Sequence, residues 1–233
     1  YSKNIQYTTA LKQLVKNKKL ERSQEKHQWA YFTPVKDHPP NSLLNGYGIK
    51  DEYFAQFEGG GLHNFFLIQI DLANHTKWFS SKQPDKNQAK KELAMIFTDE
   101  LKSRYGFHRL FWAGDGGIFV RTSEAAKNYD VIVDAADTIY DLFKKWKKKH
   151  NNLETKLLDI RVSAHVTSIF ADEDPGFWTS EDLNNFIKYG RRISRGAFAI
   201  TEQIRKSLTA LKQKRFTDPL VPINNDDGVL IMQ

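Results

Sequence analysis

The strongest pattern in the chain is an apolar run, Phe65 to Ile70, that stops at one carboxylate, Asp71, and a polar turn, Asn74-His75-Thr76. The run is too short to span a membrane and reads as a buried strand ending at the rim of a sheet. Leu110–Val120 has the same character: two apolar runs flank Gly114-Asp115-Gly116-Gly117, the composition of a tight hairpin turn. Between them, Pro84-Asp85 opens a helix on which Ala89, Leu93, Ile96, Phe97 and Leu101 recur at helical spacing, and Gly106 ends it. Ser123 is the expected cap of a second helix, with Val131, Ala135, Ile139, Leu142, Phe143 and Trp146 on its apolar face and Asn151-Asn152 at its end. Leu157–Phe170 reads as a long strand. Ser180-Glu181-Asp182 opens a helix expected to reach about Ser194, Thr201–Leu211 a further one, and Val229–Met232 a last strand.

The order from Phe65 is β, α, β-hairpin, α, β, α, α, β. It predicts an α/β (α+β) fold, the ferredoxin-like βαββαβ sandwich with additions. In that arrangement the first strand and the hairpin are neighbours in mid-sheet, so Asp71 and Asp115 meet at one edge. Such a pair suits a hard divalent cation, which takes oxygen ligands. Residues 1–62 read as an N-terminal helical and irregular extension, 63–233 as the main domain. The extension has a weakly helical Tyr7–Lys26, an aromatic strand candidate at His27–Val35 and a Pro- and Gly-rich connection. Gly59-Gly60-Gly61 lacks the Lys-Ser/Thr pair of a phosphate loop and reads as a flexible joint.

Composition narrows the picture. Aromatic residues make up 13% of the 233, enough for a sizeable core. Cysteine is absent, which excludes disulfides and fits a reducing, cytoplasmic setting. No stretch is long and apolar enough for a transmembrane helix, and no signal-peptide pattern opens the sequence. The net charge of +7 favours anionic partners. Much of it lies in Lys16–Arg22 and Lys144–Lys149, the latter at a helix end where cations complement the dipole. With no stacking motif or recognition helix, nucleic acid is not the expected partner.

Four motifs, in order from about Asn64 to Leu208, resemble the catalytic domain of class III nucleotidyl cyclases. Asp71-Leu72-Ala73-Asn74-His75-Thr76 stands where that family has Asp-Ile-x-x-Phe-Thr. Phe111-Trp112-Ala113-Gly114-Asp115 stands for Lys-x-x-Gly-Asp, Ser163-Ala164-His165-Val166-Thr167 for Gly-Ile-His-x-Gly, and Lys188-Tyr189-Gly190-Arg191-Arg192-Ile193 for Asn-x-Ala-x-Arg-Ile. The resemblance implies that Asp71, the Leu72 carbonyl and Asp115 hold two Mg²⁺ or Mn²⁺ ions. It implies that backbone amides around Ala73, Asn74, His75 and Thr76 cradle the β- and γ-phosphates, and that Arg192 of a second subunit stabilises the reacting phosphoryl group, so that the active form is a homodimer.

The departures bear on the substrate. Phe111 replaces the lysine that recognises adenine, Lys188 replaces the asparagine, and both glycines of the His165 motif are gone. These features look like the pyrimidine cyclases of Pycsar anti-phage signalling, which implies UTP, or CTP, as substrate. A purine cyclase and a catalytically inactive nucleotide-binding module are the alternatives. The family's late-strand lysine has no counterpart in Phe216–Leu230, leaving Lys212, Lys214 or Arg215 as substitutes. Read without the family, Asp71 suits a turn cap, Asp115 a turn former, and Arg192 a basic helix face with Arg191 and Arg195. His165, Trp112 and Trp146 read as core. His75, beside Asp71, has the chemistry of a metal ligand, a role the family does not use.

Overall fold

The structure is a computed structural model that describes residues 51–79, 84–123, 128–172, 178, 180–190, 193–222 and 228–232. Within residues 217–222 and 228–232, only the backbone is described. The chain divides between Ser42 and Leu43, and every described residue lies in the second unit. The helix and strand expected within residues 7–35, and Arg191 and Arg192, fall outside the described residues.

The expected elements occur in order, with a short helix and two strands added and the helix expected over Thr201–Leu211 divided in two. They are β1 (Gly61–Ala73), α1 (His75–Phe79), α2 (Pro84–Tyr105), β2 (His108–Ala113), β3 (Gly116–Thr122), α3 (Asp130–Lys149), β4 (Asp159–Ala171), α4 (Glu181–Gly190), β5 (Phe198–Thr201), α5 (Glu202–Ser207), α6 (Ala210–Gln213), β6 (Phe216–Pro222) and β7 (Gly228–Met232). One sheet runs β2-β3-β1-β4-β5-β7-β6. Its first four strands have the ferredoxin-like order, with β1 antiparallel to both β3 and β4.

β1 is buried from Phe65 to Ala73 because both faces of the sheet are covered. Phe66, Ile68, Ile70 and Leu72 point into the larger core, under α2 and α3. Phe65 and Leu67 point into a second core with Ile118, Val120, Ile169, Trp178 and Phe186. Trp112 and Trp146 are buried in the larger core, as expected. At about 25 cal/mol per Å² of apolar surface, these two layers supply the main driving force for the fold.

Several boundaries differ from the sequence reading for physical reasons. α3 starts at Asp130, whose amide donates to Asn128 Oδ1 at 2.9 Å, so Ser123 is not its cap. Ser180 does cap α4: its hydroxyl oxygen accepts from the Leu183 amide at 2.9 Å. β5 is four residues long, too short to show alternation. β6 carries Pro219 and Pro222, which argue against a strand unless it lies at an edge, where β6 lies.

Residues 51–62, assigned from sequence to the extension, belong to the folded body. A 3₁₀ turn, Glu52–Phe57, buries Phe54 and Phe57 in the second core. The glycine triplet is a tight turn rather than a loose joint. Gly59 and Gly60 take positive φ, the Gly60 amide donates to the Phe57 carbonyl at 3.0 Å, and Phe170 lies 2.8 Å from where a Gly60 Cβ would stand.

Asp51 pins this segment to the hairpin. Its carboxylate bonds His108 Nδ1 at 2.7 Å and Lys102 Nζ at 3.1 Å, and the Tyr53 ring stacks on His108 at 3.8 Å. Burial pushes His108 below its ordinary 6.5, against the pull of Asp51. Burial also opposes ionisation of Asp51, but bonds from His108, the Tyr53 amide and Lys102 outweigh it and hold Asp51 below 3.8. Both groups bind protons less readily folded than unfolded, so both contribute stability at neutral pH that acid removes. The melting temperature is therefore expected to fall as pH drops below about 6.5 and to fall further below about 3.8. His108→Gln should flatten the first limb, measured by thermal melts at a series of pH values.

Candidate active site

The odd-numbered face of β1 changes character along its length: Phe65 and Leu67 are apolar, Gln69 and Asp71 are polar and buried. Its register partners on β4 follow suit, with Asp71 opposite Arg161, Gln69 opposite Ser163 and Leu67 opposite His165. Arg161 Nη1 donates to Asp71 Oδ2 at 2.5 Å. Gln69 Nε2 donates to the Ile187 carbonyl at 3.2 Å, and Ser163 donates to Gln69 Oε1 at 3.4 Å. Gly190 lies against the Gln69 side chain with no room for a Cβ. A polar strip thus runs from under α4 to the end of β1, in an otherwise apolar sheet.

Asp115 reaches the same edge through the β2–β3 turn. Asp71 pairs with Gly116, and the Leu72 amide donates to the Asp115 carbonyl at 2.8 Å. A Cβ on Gly116 would overlap the Ile70 carbonyl, so the close approach requires glycine. The structure therefore brings Asp71, Leu72 and Asp115 together along the backbone, although 44 positions separate the two aspartates in the numbering. Leu72 and Ala73 are buried.

The Asn74–Thr76 turn is built by Asn74, which takes a positive φ of 66° and donates from Nδ2 to the Leu157 carbonyl at 2.9 Å. Its own carbonyl accepts from the Trp78 amide at 3.0 Å, starting α1. The amides that open α1 have no partner within the helix, as at any helix start. Thr76 is exposed and His75 half-buried. The His75 ring stacks on Phe79 at 5.2 Å, and its Nε2 is buried without a hydrogen-bond partner among the described residues. Burial, then the charge of Lys90, lower the basicity of His75, with Asp115 opposing.

Lys90 of α2 was not singled out from the sequence. Its ammonium lies 4.6 Å from the centre of the Phe79 ring, and Asp115 partly offsets the burial that lowers its basicity. Arg161 was also missed. Its signal was the Asp71–Arg161 register, which appears only once β1 and β4 are paired. The proposed substitutes for the late lysine are placed elsewhere. Lys212 Nζ binds Asp134 at 2.6 Å, Arg215 binds both oxygens of Asp137 at 2.8 and 2.6 Å, and Lys214 is exposed.

Phe111 is half-buried against the second core. A bulge between Arg109 and Phe111 places both Leu110 and Phe111 on that side. Lys188 is exposed in the last turn of α4. His165 lies mid-strand, half-buried, with Nδ1 3.5 Å from Thr201 Oγ1 and its ring 5.7 Å from Phe186. No cluster of three or more His, Cys, Asp or Glu residues suited to a metal occurs among the described residues, so a metal here rests on the two aspartates and a carbonyl.

No protein-family model matches the chain, and no curated protein sequence matches it. Solved structures do. The catalytic core of a rhodopsin-guanylyl cyclase with converted specificity, in complex with ATPαS, matches at 16% identity and TM-score 0.60, covering 74% of this chain and 98% of that one. The guanylyl cyclase Cya2 matches at 12% identity and TM-score 0.58, covering 75% and 93%. The adenylyl cyclase CyaB from P. aeruginosa matches at 10% identity and TM-score 0.53, covering 74% and 93%. The fold is that of the class III cyclase catalytic domain.

The Gly116 contact is directly testable. Gly116→Ala must push the hairpin off β1, and a loss of about 1–3 kcal/mol is expected, the usual scale of overpacking. Urea unfolding would measure it.

Proposed function

We propose that this chain is a nucleotidyl cyclase, converting a nucleoside triphosphate to its 3′,5′-cyclic monophosphate and pyrophosphate. The observation that carries this is the convergence of Asp71, Leu72 and Asp115 on one sheet edge of a cyclase fold, closed by the bond from the Leu72 amide to the Asp115 carbonyl. The donor set fits magnesium or manganese, since both cations are hard and take carboxylate and carbonyl oxygens. Asp71, Asp115 and the Leu72 carbonyl would hold them, with phosphate oxygens and water completing the shells. Bound there, two such ions lower the pKa of the ribose 3′-hydroxyl and offset charge on the leaving pyrophosphate.

The protein's own groups do the rest. Arg161 holds Asp71 in place by a charge-assisted bond and keeps positive charge beside it. The amides at the start of α1, in the turn that follows β1, would serve phosphate oxygens. Arg192, contributed by a second copy in a homodimer, neutralises charge that builds on the phosphoryl group, a task suited to a planar guanidinium.

For the base, the reading is a pyrimidine, UTP ahead of CTP. Phe111 supports it: it packs against the core that holds Leu110 and Ile118, offers no hydrogen bond to a base, and would leave less room than the lysine it replaces. The anti-phage setting implied by the Pycsar resemblance belongs to this proposal. A purine substrate is the second reading, favoured by the fold's likeness to structures named guanylyl and adenylyl cyclases.

Incubating the protein with each of the four nucleoside triphosphates and Mn²⁺, with products resolved by mass spectrometry, tests all of this. Cyclic UMP or CMP is expected, and Asp71→Ala or Asp115→Ala should lower it by more than about a hundredfold. Cyclic AMP or GMP as the main product overturns the pyrimidine assignment. No cyclic product from any of the four overturns the cyclase reading and leaves a nucleotide-binding module.

A further inference from the structure

The two aspartates differ in their company. Asp71 carries Arg161 as a bonded counter-charge. Asp115, half-exposed, has a different neighbourhood: its charge acts on Lys90 and on His75. Among the described residues, Lys90 forms no ion pair. Its ammonium lies 4.6 Å from the centre of the Phe79 ring. That ring is fixed by stacking on His75 at an interplanar angle of 15°. A cation resting on an aromatic face rather than paired with a carboxylate keeps its donors available. Lys86, four positions earlier on α2, shows the contrast: it is buried and committed to the Trp78 carbonyl at 2.9 Å and to Glu154 at 3.2 Å.

We propose that Lys90, seated on Phe79 of the helix that follows β1, binds the terminal phosphate of the nucleoside triphosphate. It would do from α2 what the missing late-strand lysine would do. Lys212 and Arg215 are tied to α3, and Lys90 is positioned where they are not. This rests on the cyclase reading for the substrate's identity, but its test does not need turnover. An ammonium whose charge is felt at Asp115 has two opposite consequences: it repels a metal ion at the carboxylate and attracts a polyphosphate that arrives with that ion.

The probes are MnCl₂ alone and tripolyphosphate with MnCl₂, titrated into the full chain by calorimetry, with UMP and MnCl₂ as the monophosphate control. For Lys90→Ala, tripolyphosphate binding should weaken by about 10- to 100-fold, the range for a lost charge-assisted bond. Mn²⁺ alone should bind as tightly or a few times tighter, and UMP should be unchanged. Lys90→Arg should restore most of the tripolyphosphate affinity. A merely structural lysine would weaken Mn²⁺, UMP and tripolyphosphate together, and that result overturns the proposal. So does tripolyphosphate affinity unchanged in Lys90→Ala, or its absence in the unmodified protein. Lys90-dependent tripolyphosphate binding without cyclic product from any nucleotide supports the role of Lys90 and overturns the cyclase reading alone.

Discussion

The arrangement depends on the pairing of one strand with two neighbours. β1 is antiparallel to β3 on one side and to β4 on the other. Because side chains alternate across a strand, this register decides everything at its end. Asp71 falls opposite Gly116 and Arg161, so one hairpin aspartate and one arginine arrive beside it together. A slip of one residue would turn Asp71 into the apolar layer under α2 and α3, where a carboxylate could not stay ionised.

The register is protected by packing on both faces. Phe66, Ile68, Ile70 and Leu72 are held on one side, Phe65 and Leu67 on the other. Gly116 lets the hairpin close on β1, since any side chain there would meet the Ile70 carbonyl. The polar strip of Gln69, Asp71, Arg161 and Ser163 is therefore set by an apolar frame. Arg161 bonds Asp71, Ser163 bonds Gln69, and Gln69 also reaches the Ile187 carbonyl, which is how polar groups persist in such a layer.

The cations at this edge form two kinds. Arg161 is bonded to its carboxylate and gives the buried Asp71 a direct counter-charge. Lys90 rests on the Phe79 ring. The first sets a counter-charge beside the carboxylate proposed to hold metal, and the second suits the anion that would come with such a metal. Phe79 and His75 matter here as a platform, a role that neither residue type announces in a sequence.

The order of elements from Phe65 and the two strand-edge aspartates were legible in the sequence, because apolar runs and turn residues are local signals. So was the ferredoxin-like pattern, since helix and strand periods differ and the chain alternates between them. The short strand β5 and the proline-bearing β6 were not legible, because one is too brief for alternation and the other is permitted only by its place at the sheet's edge. Arg161 and Lys90 were invisible for another reason. Each sits on an element distant along the chain from the aspartate it accompanies, and neither lies in a motif that sets it apart from the other lysines and arginines. Which cations stand at the site is a property of register and helix packing, and only the folded sheet decides it.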